Sequence, residues 1–114
     1  MHELALMTSV VGRACEIAAA NGAARVTGIT LACGALSGVV PDALEFCFDV
    51  CTADTAAAGA RLTIEQIPAV WRCAACHAAI ADLDDGSADC PSCHSGPIEL
   101  EQGRDFHLAS IMVE

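Results

Sequence analysis

The apolar positions of this chain fall into a few periodic runs. Leu4, Met7, Val11, Ala14 and Ala18 recur at helical spacing, and Leu6, Val10 and Ile17 widen the stripe, so Glu3 to Ala20 is predicted to be a helix that stops at Asn21-Gly22. The β-branched stretch Val26 to Leu31 predicts a short strand, followed by the loop GALSGVV. Pro41 opens a second helix from its first position, with Asp42 in the first turn and Leu44, Cys47, Phe48 and Cys51 on one face. Residues 54–59 read as a connection. From Arg61 to Ile67 the pattern has period two: Leu62 and Ile64 point one way, Thr63 and Glu65 the other, and Pro68 ends the run. Two more strands, Ile98–Gln102 and Asp105–Val113, flank Gly103.

The last of these is long and apolar, with Phe106, Leu108, Ile111 and Val113. It is predicted to return to the first domain and complete its sheet. The residues before it, from about Trp71 to about Pro97, then form an insertion. The partition is 1–69 plus 104–114 for an α/β domain and 70–103 for the inserted one.

The insertion carries the strongest chemical signal. Cys73-Ala74-Ala75-Cys76 and Cys90-Pro91-Ser92-Cys93 are two knuckles separated by thirteen residues. Four thiols so spaced can close a tetrahedron around one ion, the ligand set of a structural Zn(II) site. The spacer, with Asp82, Asp84, Asp85, Gly86 and Asp89, suits a solvated turn and leaves room for a small hairpin. Both knuckles run on into a histidine, His77 and His94, so each also reads Cys-x-x-Cys-His, the attachment signature of c-type haem. Against haem stand a start without a basic segment or cleavage site, an aromatic content of 4%, and only His2 and His107 as further axial ligands. His77 and His94 read as surface residues following the knuckles, or as accessory ligands that replace a cysteine in acid or on metal loading.

Composition narrows the partners. With 114 residues the chain can hold one small domain, or a modest one carrying a metal-stapled appendage, and a zinc staple suits a core this small. Fifteen acids against five arginines and no lysine give a formal charge of -10, which repels a polyanion, so nucleic acid is excluded as a partner. No apolar run approaches the roughly 20 residues that span a bilayer. A cytoplasmic chain is expected, where cysteines stay reduced and serve metals. No Ser/His/Asp set, catalytic carboxylate pair or phosphate loop suggests an enzyme, and four protein ligands leave zinc no open position for chemistry.

The start, Met1-His2-Glu3, offers a second set of donors. A bulky second residue leaves the initiator methionine in place. The α-amine of Met1, the His2 imidazole and the backbone nitrogens of His2 and Glu3 can then wrap a planar four-nitrogen set, which suits Ni(II) or Cu(II). Amine and imidazole must first lose their protons, so affinity falls with pH. A histidine here also fits a frayed, solvated terminus, and the dipole of a helix start opposes a cation.

Taken together, these residues resemble the HypA/HybF family of nickel-insertion accessory proteins for [NiFe]-hydrogenase maturation. The resemblance runs from Met1-His2-Glu3 and Leu6 through Gly34, Ser37, Val39, Pro41, Leu44, Phe46 and Phe48. It continues over Thr55, Gly59-Ala60, Leu62, Ile64 and Pro68 to the two knuckles with Cys90-Pro91, then Gly103, Asp105-Phe106 and the final strand. Asp105-Phe106 stands where the family more often has Glu-Leu, and His77 and His94 stand where it commonly has glycine.

The resemblance implies an α+β fold: two helices packed on a three-stranded mixed sheet, with an inserted four-cysteine zinc-ribbon-like domain. It implies a metallochaperone, monomeric or weakly dimeric, that carries Ni(II) on His2 and the backbone nitrogens of Met1 and Glu3. Cys73, Cys76, Cys90 and Cys93 match the family's zinc ligands. The GTPase HypB is the implied partner, and the [NiFe]-hydrogenase large-subunit precursor the implied recipient. The rival reading is a zinc-ribbon adaptor that binds proteins and carries no nickel. An iron or haem electron carrier is a third.

Overall fold

The structure is a computed structural model that describes residues 2–81, 90–94 and 96–114, with His2 described as backbone. The aspartate-rich spacer read as a turn falls outside the described residues.

Helix α1 spans His2–Ala20 and ends at Gly22, where the Ala23 and Gly22 amides donate to the carbonyls of Ala18 (2.9 Å) and Ala19 (3.1 Å). Met7, Val10, Val11, Ala14 and Ala18 are buried. Leu4, placed on the apolar stripe by its spacing, is 37% exposed. Strand β1 runs Val26–Gly34, three residues past the expected end. It is the central strand, and pairing on both sides carries Ala32, Cys33 and Gly34 into the sheet despite their weak strand preference. Helix α2 spans Pro41–Thr52 with proline in the first turn, and buries Leu44, Cys47, Phe48 and Thr52. Cys51, expected on the buried face, is half-buried at its edge, with its sulfur 3.5 Å from the Thr8 hydroxyl. Thr52 is 3% exposed instead, and its hydroxyl donates to the Phe48 carbonyl at 3.0 Å.

Strand β2 (Arg61–Ile67) pairs parallel with β1, and the last strand, Phe106–Val113, pairs antiparallel on the other side. The order is a mixed three-stranded sheet with β1 in the middle and two helices on one face. Phe106, Leu108 and Ile111 all pack against the helix-facing core. A strict alternation cannot place 108 and 111 on one face. The register shift between Thr30↔Ser110 and Leu31↔Leu108 resolves this by looping out Ala109 as a bulge.

Between β2 and the last strand the chain builds a second sheet from β3 (Val70–Cys73), β4 (Ala79–Ile80) and β5 (Ile98–Gln102), with β3 in the middle; the last strand is therefore β6. β5 and β6 fall on the segments the sequence marked. β3 and β4 do not show in the apolar pattern. The chain leaves and re-enters the first sheet side by side, and the turn after β1 ties both crossings. Gly34 N–H donates to the Asp105 carbonyl (2.9 Å), Ala35 N–H to Ile67 (2.9 Å), and Leu36 N–H to Gly103 (2.7 Å). A Cβ at Gly34 would lie 2.3 Å from the Gly103 carbonyl oxygen, so only glycine admits this approach.

Candidate metal centre

The second sheet has almost no core of its own. Its buried residues are Cys73, Ile80 and Cys90, with Trp71, Cys93 and Ile98 packed against them. Two of the three buried side chains are thus thiols, and a unit this small needs what the thiols bind.

β3 delivers Cys73 at its end, and the chain turns immediately. The amides of Ala75 (3.3 Å) and Cys76 (3.4 Å) point at the Cys73 sulfur, and those of Ser92 (3.3 Å) and Cys93 (3.5 Å) at the Cys90 sulfur. His77 N–H donates to the Cys73 carbonyl at 3.0 Å, and His94 N–H to the Cys90 carbonyl at 2.9 Å. The knuckles are thus the same turn used twice. Cys73 Sγ lies 3.6 Å from Cys93 Sγ, Cys76 Sγ lies 3.6 Å from Cys90 Sγ, and all four sulfurs fall within 4.8 Å of one another. Zn–S bonds of about 2.3 Å in a tetrahedron put sulfurs about 3.8 Å apart. The cluster fits a structural zinc site. Sulfurs gathered on one point leave no space for the two porphyrins of a doubled haem motif.

The electrostatics call for a cation. Metal-free, the Ala78 amide favours the Cys76 thiolate. Loss of hydration and the neighbouring Cys90, Cys73 and Cys93 thiols outweigh that amide and push Cys76 up from 9.0 to about 12. Cys90 moves the other way, led by the Cys93 amide and helped by that of Ser92. Four like charges this close do not form without an ion between them.

His77 and His94 sit at φ 63° and 59°, the left-handed region that favours glycine. That accounts for glycine being the common residue at these two positions of the resembled pattern. Both side chains are exposed, and among the described residues no histidine joins the four sulfurs. Two supports of the site went unmarked in the sequence. A Cβ on Gly96 would lie 2.9 Å from Cys73 Sγ, so this glycine lets the chain pass the ligand. Arg72 donates to the His77 carbonyl (2.6 Å) and to Glu101 (3.1 Å), tying the first knuckle to β5. Neither belongs to a recognisable motif; only the fold brings them to the site.

At the chain start, Met1 and the His2 side chain lie outside the described residues. α1 begins at His2, and the first amides of a helix have no acceptor within it, so the nitrogens of His2 and Glu3 are not committed to the helical ladder. In the Glu3 side chain, Oε2 accepts from the Val40 amide at 3.3 Å. The four sulfurs belong to the second sheet's unit, whereas Glu3 lies in the first turn of α1.

The family model described as "Hydrogenase/urease nickel incorporation, metallochaperone, hypA" matches residues 1–113. The hydrogenase maturation factor HypA of Geotalea uraniireducens is 44% identical over 115 residues, covering 100% of both chains. That of Chlorobaculum parvum is 40% identical over 114 residues with the same coverage. Among solved structures, a solution structure of HypA protein superposes with a TM-score of 0.77 at 21% identity, covering 100% of this chain and 97% of the other. The Ni metallochaperone HypA of Helicobacter pylori gives 0.67 at 19% identity, covering 97% and 96%. At such identities the structures speak for the fold.

Proposed function

The chain belongs to the HypA family of metallochaperones for hydrogenase and urease nickel incorporation, and from that premise we propose that it carries Ni(II) at its amino terminus and delivers it to the [NiFe]-hydrogenase large-subunit precursor. Met1, through its α-amine, the His2 imidazole and the backbone nitrogens of His2 and Glu3 hold the ion. The observation that carries this reading is the start of α1 at His2, which leaves those backbone nitrogens outside the helical ladder at the end of the chain where His2 stands. Nitrogen donors in a plane suit Ni(II). Ordering a chain end costs entropy, so the grip is modest and release is easy; the right recipient is then chosen by docking rather than by affinity.

In this proposal Cys73, Cys76, Cys90 and Cys93 hold zinc to keep the 70–103 domain folded, while 1–69 plus 104–114 form the nickel-carrying domain. The GTPase HypB is the partner at the handover, in the cytoplasm, with the carrier a monomer or weak dimer. No helix of the described residues is long and apolar enough to cross a membrane.

The test is metal analysis of untagged protein, wild type beside His2→Ala. The carrier predicts roughly one nickel per chain in the wild type and none in the variant, with zinc equal in both. Equal nickel in both sinks the proposal. Zinc without nickel in the wild type selects the adaptor reading instead.

A further inference from the structure

Helix α2 buries Leu44, Cys47 and Phe48 and turns its opposite face to solvent. With about 100° between successive residues, Phe46 lies at the centre of that outward face. It is 85% exposed, and Val50, one turn on, is 72% exposed. Half-buried Ala43 completes a ridge at i, i+3 and i+7. A lone apolar side chain in solvent is ordinary, but a phenylalanine and a valine stacked on one helix face make a patch. Of the run Leu44-x-Phe46-x-Phe48, burial accounts for the first and the last and leaves Phe46 without a structural task.

The ridge has unequal flanks. Val50 and Ala43 lie about 40–60° to one side of Phe46, whereas Asp42, Asp49 and Glu45, all exposed, lie within about 100° on the other. Among the described residues none of these three carboxylates has an ion pair, and α2 contains no basic residue. This asymmetry argues against a second copy of the chain as the occupant. Packed antiparallel about a two-fold axis, two such helices would bring their acidic flanks together. Packed parallel, each would lay carboxylates on the apolar flank of the other. Both arrangements would also join chains that each carry a formal charge of -10.

We infer that the outer face of α2 is a docking surface, and that its occupant is a protein with an apolar groove carrying Lys and Arg along one wall. Phe46 and Val50 enter the groove as anchors, in the manner of a helix laid into a cleft, and Asp42, Glu45 and Asp49 meet the basic wall. The anchors supply affinity, and the carboxylates supply orientation and speed of encounter. The proposed function supplies two proteins to try, the GTPase and the large-subunit precursor, and the surface rests on that reading for them alone.

The test measures binding kinetics of each purified partner to untagged full-length protein, in low and high salt. Wild type is compared with Phe46→Ala, with Val50→Ala and with the double variant Glu45→Gln/Asp49→Asn. All the substituted side chains stand in solvent, so the fold is expected to survive, and far-UV circular dichroism checks it. At least one partner is expected to bind Phe46→Ala about thirtyfold more weakly, mainly through faster dissociation, with a smaller loss for Val50→Ala. The double variant should associate more slowly and lose much of its salt dependence. If neither partner binds the wild type, or if both bind Phe46→Ala as they bind the wild type, the surface is overturned. A wild type that dimerises with concentration while Phe46→Ala stays monomeric would make a second copy the occupant and overturn the basic groove. Nickel content of His2→Ala decides the metal reading separately: if that variant keeps its nickel while Phe46→Ala loses its partner, the site falls and the docking surface stands.

Discussion

Cys73 and Cys93, twenty residues apart in the chain, hold their sulfurs 3.6 Å from each other, closer than either is required to be by its own turn. Cys76 and Cys90 make the matching pair at 3.6 Å. Each close pair takes one sulfur from each knuckle, so the ion is a cross-link between the two turns. Removing a single sulfur unties both. Cys73→Ser is therefore expected to lose its zinc altogether, with loss of the β3–β5 strand signal in far-UV circular dichroism. Nickel binding at the proposed amino-terminal site should persist. Elemental analysis of the purified variant checks it, and a full zinc complement would contradict the cross-link.

The left-handed backbone at His77 and His94 predicts a gain. A side chain in that region costs roughly 1–2 kcal/mol relative to glycine. His77→Gly and His94→Gly are each expected to stabilise the zinc-loaded protein by about 1 kcal/mol, read from denaturant midpoints. X-ray absorption at the zinc edge should show four sulfurs in wild type and variants, with and without Ni(II). A nitrogen in the wild-type shell that disappears in either variant would instead make that histidine an accessory ligand.

Thiolate ligation gives a pH dependence. Zinc-loaded protein should weaken toward acid, where protons compete for the sulfurs of Cys73, Cys76, Cys90 and Cys93. Urea midpoints and bound zinc measured together across pH check it, and midpoints that hold while pH falls would contradict a thiolate site.

What the sequence showed and what it hid divide along physical lines. α1, α2 and β2 were legible because each buries one face, and burial leaves a period in the sequence. The four cysteines were legible because knuckle geometry fixes their spacing. β3 and β4 left no period, because strands of four and two residues form through pairing and sulfur ligation rather than through an apolar face. The bulge at Ala109 was visible only as a broken alternation between Leu108 and Ile111, and pairing with β1 was needed to interpret it. Leu4 and Cys51 are less buried than their spacing suggests, because the period names a face but not how far the neighbouring helix covers it. Glu3 was read for its backbone nitrogen; the Val40 amide that its carboxylate meets lies across the fold.

The joint between the sheets predicts a steric cost. At Gly34 an added Cβ meets the carbonyl oxygens of Gly103 at 2.3 Å and Asp105 at 2.8 Å, and both belong to backbone. Backbone cannot swing aside as a side chain can. Gly34→Ala is expected to destabilise the protein by about 1–3 kcal/mol, toward the upper end, with the exchange of the Leu36 and Ala35 amides quickened. Thermal unfolding and hydrogen exchange test this, and a neutral substitution would show the joint to be looser than its hydrogen bonds imply.

Two phenylalanines that stand together in the sequence part company in the fold, and they make the sharpest test of which helix face is inside. Phe48 is 5% exposed in the core of the first sheet, while Phe46, two residues earlier, is 85% exposed. Phe48→Ala opens a cavity in the core cluster that also holds Met7, Leu31 and Leu44 and is expected to cost about 3–5 kcal/mol, enough to unfold a domain of this size. Phe46→Ala should stay within about 0.5 kcal/mol of wild type, since the ring stands in solvent. Denaturant titration of the two variants side by side measures both. If Phe46→Ala were the more damaging, α2 would have to be rotated about its axis, and the cap that Glu3 places on its start would have to move with it.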